Sequence, residues 1–328
     1  MKAENIVFGV NGRRGKILDI PTLSLAVGRI IFVLGNNGAG KSSLLSFLAG
    51  RQYLPGASIW VKGRLLPPLS EKLMPGYRGI ELIRQEPDLN PHFLVEEELE
   101  RHLRIFDPGT TERKKKQYIK MFQLRSLLRQ KTGSISGGER RRLALACAMV
   151  GEPELILLDE PFSDLDQPGR NLLAKLLLEL AAEGIAFMIV SHHGGDAHWL
   201  ADEIWTLDSG RIIERLRRVE VGFVPSKFRT ASLLGMKNIF STKDFPEIEK
   251  TGFRRIAFPE NTVCPFMEGM QDLGDFQLIR KRQDNGILNL MWKGKTGILF
   301  SSAIETEVIL EGASKRLGIK HQDILFLK

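Results

Sequence analysis

Up to about Glu214, short runs that are apolar at nearly every position alternate with longer stretches in which apolar residues recur every three or four positions. Residues 29–34, 155–158 and 186–190 are of the first kind. Their length and unbroken hydrophobicity predict strands buried on both faces, as in a parallel sheet. Residues 40–48, 137–150 and 167–182 are of the second kind and predict helices. Strand, crossover helix and strand in succession predict an α/β layered domain. Residues 96–127 interrupt the alternation. They are charged and helical, broken at Asp107-Pro108-Gly109, and predict a small helical insertion spanning about 86–135.

The texture changes after Asp208-Ser209-Gly210-Arg211, which reads as a turn between two short strands. Residues 215–218 form a basic junction, and 221–225 read as a linker. Beyond it, β-like runs such as 255–258, 287–291 and 306–310 are separated by Gly, Pro, Asp and Asn. The expected organisation is therefore an α/β domain over 1–218 and a smaller, mostly β domain over 226–328. A length of 328 residues agrees, at roughly 150 residues per domain.

Composition narrows this picture only slightly. With 43% hydrophobic and 26% charged residues, each part can bury a core. The net charge of +8 suits a nucleotide, a nucleic acid or an anionic surface without choosing among them. Cys147 and Cys264 stand far apart with no Cys or His at metal spacing, and read as buried apolar residues. The first residues carry an acid at once and lack the apolar core of a secretion signal. No stretch approaches the ~20 apolar residues that span a bilayer, so a cytoplasmic, soluble chain is expected.

Gly35-Asn36-Asn37-Gly38-Ala39-Gly40-Lys41-Ser42 has the spacing G-x-x-x-x-G-K-[ST], between a predicted strand and a predicted helix. Its glycines let backbone N–H groups converge on phosphate oxygens, and the helix start adds partial positive charge. Lys41 is placed to reach the terminal phosphates and Ser42 to bind Mg²⁺. Asp159 and Glu160 end an apolar strand, where unpaired carboxylates are costly. Beside a metal–nucleotide both have a purpose: Asp159 holds the metal's water shell and Glu160 polarises the attacking water. Ser136 is placed as an N-cap ahead of Gly137-Gly138-Glu139-Arg140, a second helix start able to meet an anion. Taken alone, that start reads better as simple capping.

The order of these elements resembles that of the ABC transporter ATPases over roughly the first two-thirds of the chain. The loop from Gly35 to Ser43 resembles their Walker A motif. Gln85, in Ile83-Arg84-Gln85-Glu86-Pro87, resembles the Q-loop glutamine, and Ile135-Ser136-Gly137-Gly138-Glu139 the Leu-Ser-Gly-Gly-Gln signature. The strand ending in Asp159-Glu160-Pro161 resembles Walker B, Ser163-Asp164-Leu165-Asp166 the D-loop, and Val190-Ser191-His192 the switch histidine. The departures are Ile135 for Leu and Glu139 for Gln in the signature, and His193 where an acid is common.

The resemblance implies a P-loop cassette with a helical subdomain that hydrolyses ATP with Mg²⁺. ATP would be bound by Gly35, Asn36, Asn37, Gly38, Ala39, Gly40, Lys41, Ser42 and Ser43, with Phe8 against the adenine or, equally, in the core. The metal would be held by Ser42, Gln85 and Asp159. Catalysis would fall to Glu160, His192 and Gln85. A second copy would present Ser136, Gly137, Gly138, Glu139 and Asp166 to the same ATP, giving a homodimer that sandwiches two nucleotides. Residues 86–92, after Gln85, would border the groove for a membrane subunit.

The last third resembles the OB/TOBE-like β domain of some import ATPases, notably molybdate and tungstate types, through 231–240, 256–261 and 306–327. Phe258 stands where that family has Arg. The resemblance thus implies an importer of a small solute (oxyanion, iron or polyamine), peripheral on the inner face of the membrane through permease subunits. A soluble cassette acting on nucleic acid or a protein assembly is the competing reading. No basic stripe interleaved with aromatics supports it, and no nucleic-acid partner is expected. Arg140-Arg141-Arg142 and Lys114-Lys115-Lys116 read instead as solvated helix faces. A third reading, a non-hydrolysing anion sensor, sits poorly with the Asp159–Glu160 pair.

Overall fold

The structure, a computed structural model, describes residues 1–8, 18–54, 56–71, 75–218, 224–241, 255–258, 264–265, 271–284, 287–294, 297–304, 314–319 and 325–327. The chain divides into two units, Met1–Glu220 and Val221–Lys328. In the first, β1 (Lys2–Phe8), β2 (Leu18–Ser24) and β3 (Ile30–Leu34) precede α1 (Lys41–Leu48). Then come β4 (Ser58–Val61), β5 (Arg64–Leu65), β6 (Ile80–Ile83), α2 (Val95–Leu103), α3 (Pro108–Met121) and α4 (Gly137–Met149). The unit closes with β7 (Leu155–Asp159), α5 (Gln167–Ala182), β8 (Ala186–Ser191), α6 (Ala197–Leu200), β9 (Glu203–Asp208) and β10 (Arg211–Arg217).

These strands make two sheets, ordered β2-β1-β4-β5 and β10-β9-β3-β8-β7-β6. The first is antiparallel. In the second, β9, β3, β8, β7 and β6 run parallel, and β10 returns antiparallel along the edge. Every position of β3 is buried, because the strand lies between β8 and β9 with apolar side chains on both faces. Each such side chain contributes about 1.5–3 kcal/mol by leaving water. One face of this sheet packs Ile31, Val33, Leu157, Met188, Val190 and Leu207 against α1 residues Leu44, Leu45 and Leu48 and β2 residues Leu18, Ile20 and Leu23.

The expected helical insertion contains α2 and α3. Its first helix, α2, begins at Val95, so residues 86–92 form a loop leading into it. The break at Asp107 is the cap of the next helix. Asp107 accepts from the Thr110 N–H at 3.0 Å, and Pro108 occupies the first helical position, where no N–H is needed.

Two charge runs are not the solvated faces expected. The Lys115 ammonium lies between Glu96 and Glu100 of α2, Lys114 pairs with Glu152 at 3.0 Å, and only Lys116 is well exposed. Arg141 is 5% exposed. The lysine pair fastens α3 to its neighbours. Arg141 serves the site described below.

The described strands of the second unit pair antiparallel. After α7 (Phe228–Leu233), one sheet pairs β11 (Asn238–Ser241), β12 (Arg255–Phe258) and β18 (Leu325–Leu327). The other orders β13 (Cys264–Pro265), β17 (Ser314–Ile319), β14 (Gln271–Asp284), β15 (Ile287–Gly294) and β16 (Gly297–Ile304). The expected strands at 255–258 and 287–291 are β12 and part of β15. The expected strand 306–310 and most of the linker 221–225 lie outside the described residues, as do 259–261, 306–313 and 320–324 of the segments that carry the TOBE resemblance. No described helix is long and apolar enough to cross a membrane.

Candidate active site

Because β3, β7, β8 and β6 are parallel, the residues that follow them emerge at one edge of the sheet: Gly35, Glu160, His192 and Gln85. The loop after β3 is fixed by its backbone. The Gly35 N–H donates to Ser191 O (3.2 Å), Ala39 N–H to Asn36 O (3.1 Å), and Gly210 N–H to Ala39 O (3.0 Å). A methyl group on Gly35 would lie 2.5 Å from Leu207 O, so only glycine fits beside β9. Gly40, at φ 104°, is the N-cap of α1 and supplies no side-chain acceptor. The first-turn N–H groups of α1 are therefore available to an anion.

Lys41 donates to Gly35 O at 2.7 Å and Asn36 O at 3.2 Å, and stands 4.0 Å from Glu160 Oε1. Its side chain is 8% exposed. Burial lowers its pKa, and the charges of Glu160 and then Asp159 oppose that shift. An anion at the loop would favour the ammonium further. Asp159 accepts a hydrogen bond from Ser42. Burial raises the Asp159 pKa. The Ser42 hydrogen bond is the largest opposing effect, Glu160 adds to the rise, and Lys41 and Arg84 oppose it.

Glu160 has a left-handed backbone (φ 47°), and its N–H donates to Val190 O at 3.0 Å. This turns the chain away from the sheet, and the carboxylate accepts from His192 Nδ1 at 2.8 Å. The His193 ring lies against that of His192, with centroids 3.9 Å apart. Lys41, Ser42, Asp159, Glu160 and His192 thus form one cluster. Gln85 joins it at longer range, its Nε2 3.5 Å from Ser163 Oγ. Asn36 and Asn37 are exposed on the loop, and Ser43 is half-buried in α1.

The second predicted anion site is separate. Ser136 caps α4 by accepting from the Glu139 N–H at 3.3 Å, while Glu139 Oε2 accepts from the Ser136 N–H at 2.8 Å. The Glu that replaces the signature Gln therefore closes a capping box. Asp166 caps α5, accepting from the Gly169 N–H at 3.0 Å. The start of α4 borders a cleft of about 450 Å³ lined by Gln85, Pro87, Thr132, Gly137, Arg140 and Asp164 among others, and not by the Gly35–Ser42 loop. Phe8 ends β1, and its side chain lies outside the described residues.

Sequence reasoning missed Arg141. It donates to Ser163 O (2.8 Å) and Ser163 Oγ (2.9 Å) from the buried face of α4. Its position three and four residues before Ala144 and Leu145, on the apolar side of the helix, was the available signal.

Ser42, Asp159 and Gln85 offer a hydroxyl, a carboxylate and an amide oxygen, which are hard donors. Among the described residues no group of three or more His, Cys, Asp or Glu could hold a metal ion. A cation here would complete its shell with phosphate and water, the habit of Mg²⁺ rather than of zinc.

The family described as "ABC transporter" matches residues 18–163. The Fe(3+) ions import ATP-binding protein FbpC of Streptomyces avermitilis is 32% identical over 265 residues, covering 80% of this chain and 74% of that protein. The taurine import ATP-binding protein TauB of Pseudomonas aeruginosa is 34% identical over 220 residues, 66% of this chain and 81% of that protein. Among solved structures, cbiO1 from Clostridium perfringens, part of the ABC transporter complex cbiONQ, matches with a TM-score of 0.58 at 22% identity. That match covers 65% of this chain and 86% of that one. A dimeric ATP-binding cassette in a post-hydrolysis state with ADP and Pi matches with a TM-score of 0.57 at 20% identity, over 66% of this chain and 97% of that one.

Proposed function

The chain belongs to the ABC transporter ATP-binding family, the ATPase subunits that power membrane transporters, and from that premise we propose which residues carry the chemistry and in what assembly. One observation carries the assignment. The Lys41 ammonium, the Glu160 carboxylate and the His192 imidazole converge at the ends of β3, β7 and β8, with Ser42 hydrogen-bonded to Asp159 beside them.

Residues Gly35 to Ser43 cradle the phosphates with backbone N–H groups, and Lys41 exchanges the loop carbonyls for phosphate oxygens. Ser42, Asp159 and Gln85 hold Mg²⁺, which when bound neutralises the phosphate charge that builds up during transfer. Glu160 accepts a proton from the attacking water. His192, hydrogen-bonded through Nδ1 to the same carboxylate, fixes its aim. Phe8 packs against the adenine.

Neither the loop nor the α4 start surrounds a γ-phosphate alone. Two copies therefore sandwich each ATP, one giving Gly35–Ser42 and the other Ser136, Gly137, Gly138, Glu139 and Asp166. The relatives named as import proteins favour an importer, with the chain held on the cytoplasmic face by permease subunits. The second unit serves as a TOBE-like regulatory or dimerisation domain.

Glu160→Gln is expected to dimerise with Mg-ATP in size-exclusion chromatography yet turn over no ATP. A variant that stays monomeric would sink the sandwich. Lys41→Ala is expected to lose nucleotide affinity in calorimetry, and retained affinity would contradict the role of the ammonium.

A further inference from the structure

Arg141 is a buried cation that the mechanism above does not use. Its guanidinium reaches out of α4 and grips one residue of the turn after β7, with Nη1 on Ser163 O and Nη2 on Ser163 Oγ. Ser163 has a single hydroxyl proton, and it goes to Glu160 O at 2.8 Å. Arg141 and, at longer range, Gln85 take up the lone pairs of the same oxygen. The Ser163 N–H also donates to Glu160 O, at 3.2 Å. The turn is thus closed onto the backbone of the residue whose carboxylate meets His192.

That turn needs support. Glu160 (φ 47°) and Asp164 (φ 58°) bracket it, both left-handed and neither a glycine. Such residues are strained and persist only where surroundings over-determine them. Burying a guanidinium is also unfavourable: desolvation lowers its pKa, Asp164 opposes the shift, and Nε has no hydrogen-bond partner. A helix face could be made more cheaply with Leu or Gln. The bidentate fork onto Ser163 is what Arg supplies and Lys cannot reproduce.

We infer that Arg141 is a positioning residue, which sets the aim of Glu160 by clamping Ser163. This rests on Glu160 being the general base, as proposed above. It has a mechanical corollary: α4 carries both Arg141 and the Ser136–Gly138 start, and a methyl on Gly138 would approach Leu165, the residue just after that turn, at 3.2 Å. Where the start of α4 moves, Glu160 of the same chain is re-aimed.

The test compares the full chain with Arg141→Met, Ser163→Ala and the double variant. Steady-state ATP turnover, affinity for a fluorescent ATP analogue, melting temperature and the NMR resonance of the His192 Nδ1 proton are measured. Arg141→Met is expected to lower kcat by about 10- to 100-fold, the scale of an ångström-sized misplacement, with KM within about threefold. The His192 resonance should shift in the same variant before any nucleotide is added. The double variant is expected to be no slower than Arg141→Met. Losses that multiply, a kcat that only follows the melting temperature, or an unmoved His192 resonance would overturn the inference. If Arg141→Met does not fold, Arg141→Lys retains a buried cation; it is expected to lower kcat at unchanged KM, and an unaltered kcat overturns the clamp. Absence of turnover in the unsubstituted chain would instead sink the ATPase assignment of Glu160 itself.

Discussion

At the scale of single residues, the site is organised by opposed electrostatic demands. Asp159 is buried enough that its ionised form is disfavoured, even with Ser42 and Lys41 beside it. A carboxyl with a raised pKa in the fold contributes stability below its ordinary value of 3.8, and that contribution is lost as pH rises through the folded value. Asp159→Asn removes the ionisable group while keeping the shape. Its melting temperature without nucleotide is expected to exceed that of the parent at neutral pH, with the gap closing as pH falls toward 3.8. A gap that widens on acidification would contradict burial as the dominant cause. Gly35 is constrained differently. Gly35→Ala sets a methyl 2.5 Å from Leu207 O and is expected to cost about 1–3 kcal/mol, read as a lower urea midpoint, together with weakened ATP binding. Wild-type stability would show that β9 can retreat.

The elements explain both what was legible beforehand and what was not. The strand at 30–34, the loop to Ser42 and the helix after it were legible because continuous burial, a glycine spacing and a helical period all agree there. The cap at Ser136 was legible for the same reason. Strand β6 was not, because Glu81 interrupts its apolar positions and only Ile80 and Ile83 are fully buried. The antiparallel sheet of β1, β2, β4 and β5 also escaped, since β2, β4 and β5 are partly exposed and β1 pairs with β4 across some 50 residues. Arg141 was misread because charge was weighed ahead of helical phase. The capping box at α4 yields its own prediction. Glu139→Gln preserves the reciprocal hydrogen bonds, so stability should hold within a few tenths of a kcal/mol. It also removes an acid from the helix start proposed above to meet the partner copy's ATP. The ATP concentration for dimerisation is therefore expected to fall about two- to fivefold, measured by light scattering. A rise would place that helix start away from the phosphate.

At the scale of the whole molecule, each unit has buried residues of its own, and the cluster of Lys41, Ser42, Asp159, Glu160 and His192 lies entirely within the first. Residues 1–220 alone are expected to melt cooperatively and to be stabilised by Mg-ATP, by about 2.7 kcal/mol at a hundredfold excess over Kd. Melting without a cooperative transition would show that the second unit completes the first. The fold class of the first part follows from sequence texture. The details of the second part do not, because short strands separated by turn residues specify no unique pairing order.

The closing of the phosphate loop by Ser191, Leu207 and Gly210 has a consequence for how the protein is made. Strand β3 and its loop leave the ribosome early, yet the strands that flank them, β8 and β9, follow some 150 residues later. A nascent chain that has emerged as far as residue 163 carries every glycine of the loop but neither neighbour that shapes it. Nucleotide binding therefore arrives late in synthesis, at a stroke, once residue 210 is free to fold back. The first ATP bound by a growing chain thus reports that β9 has docked beside β3.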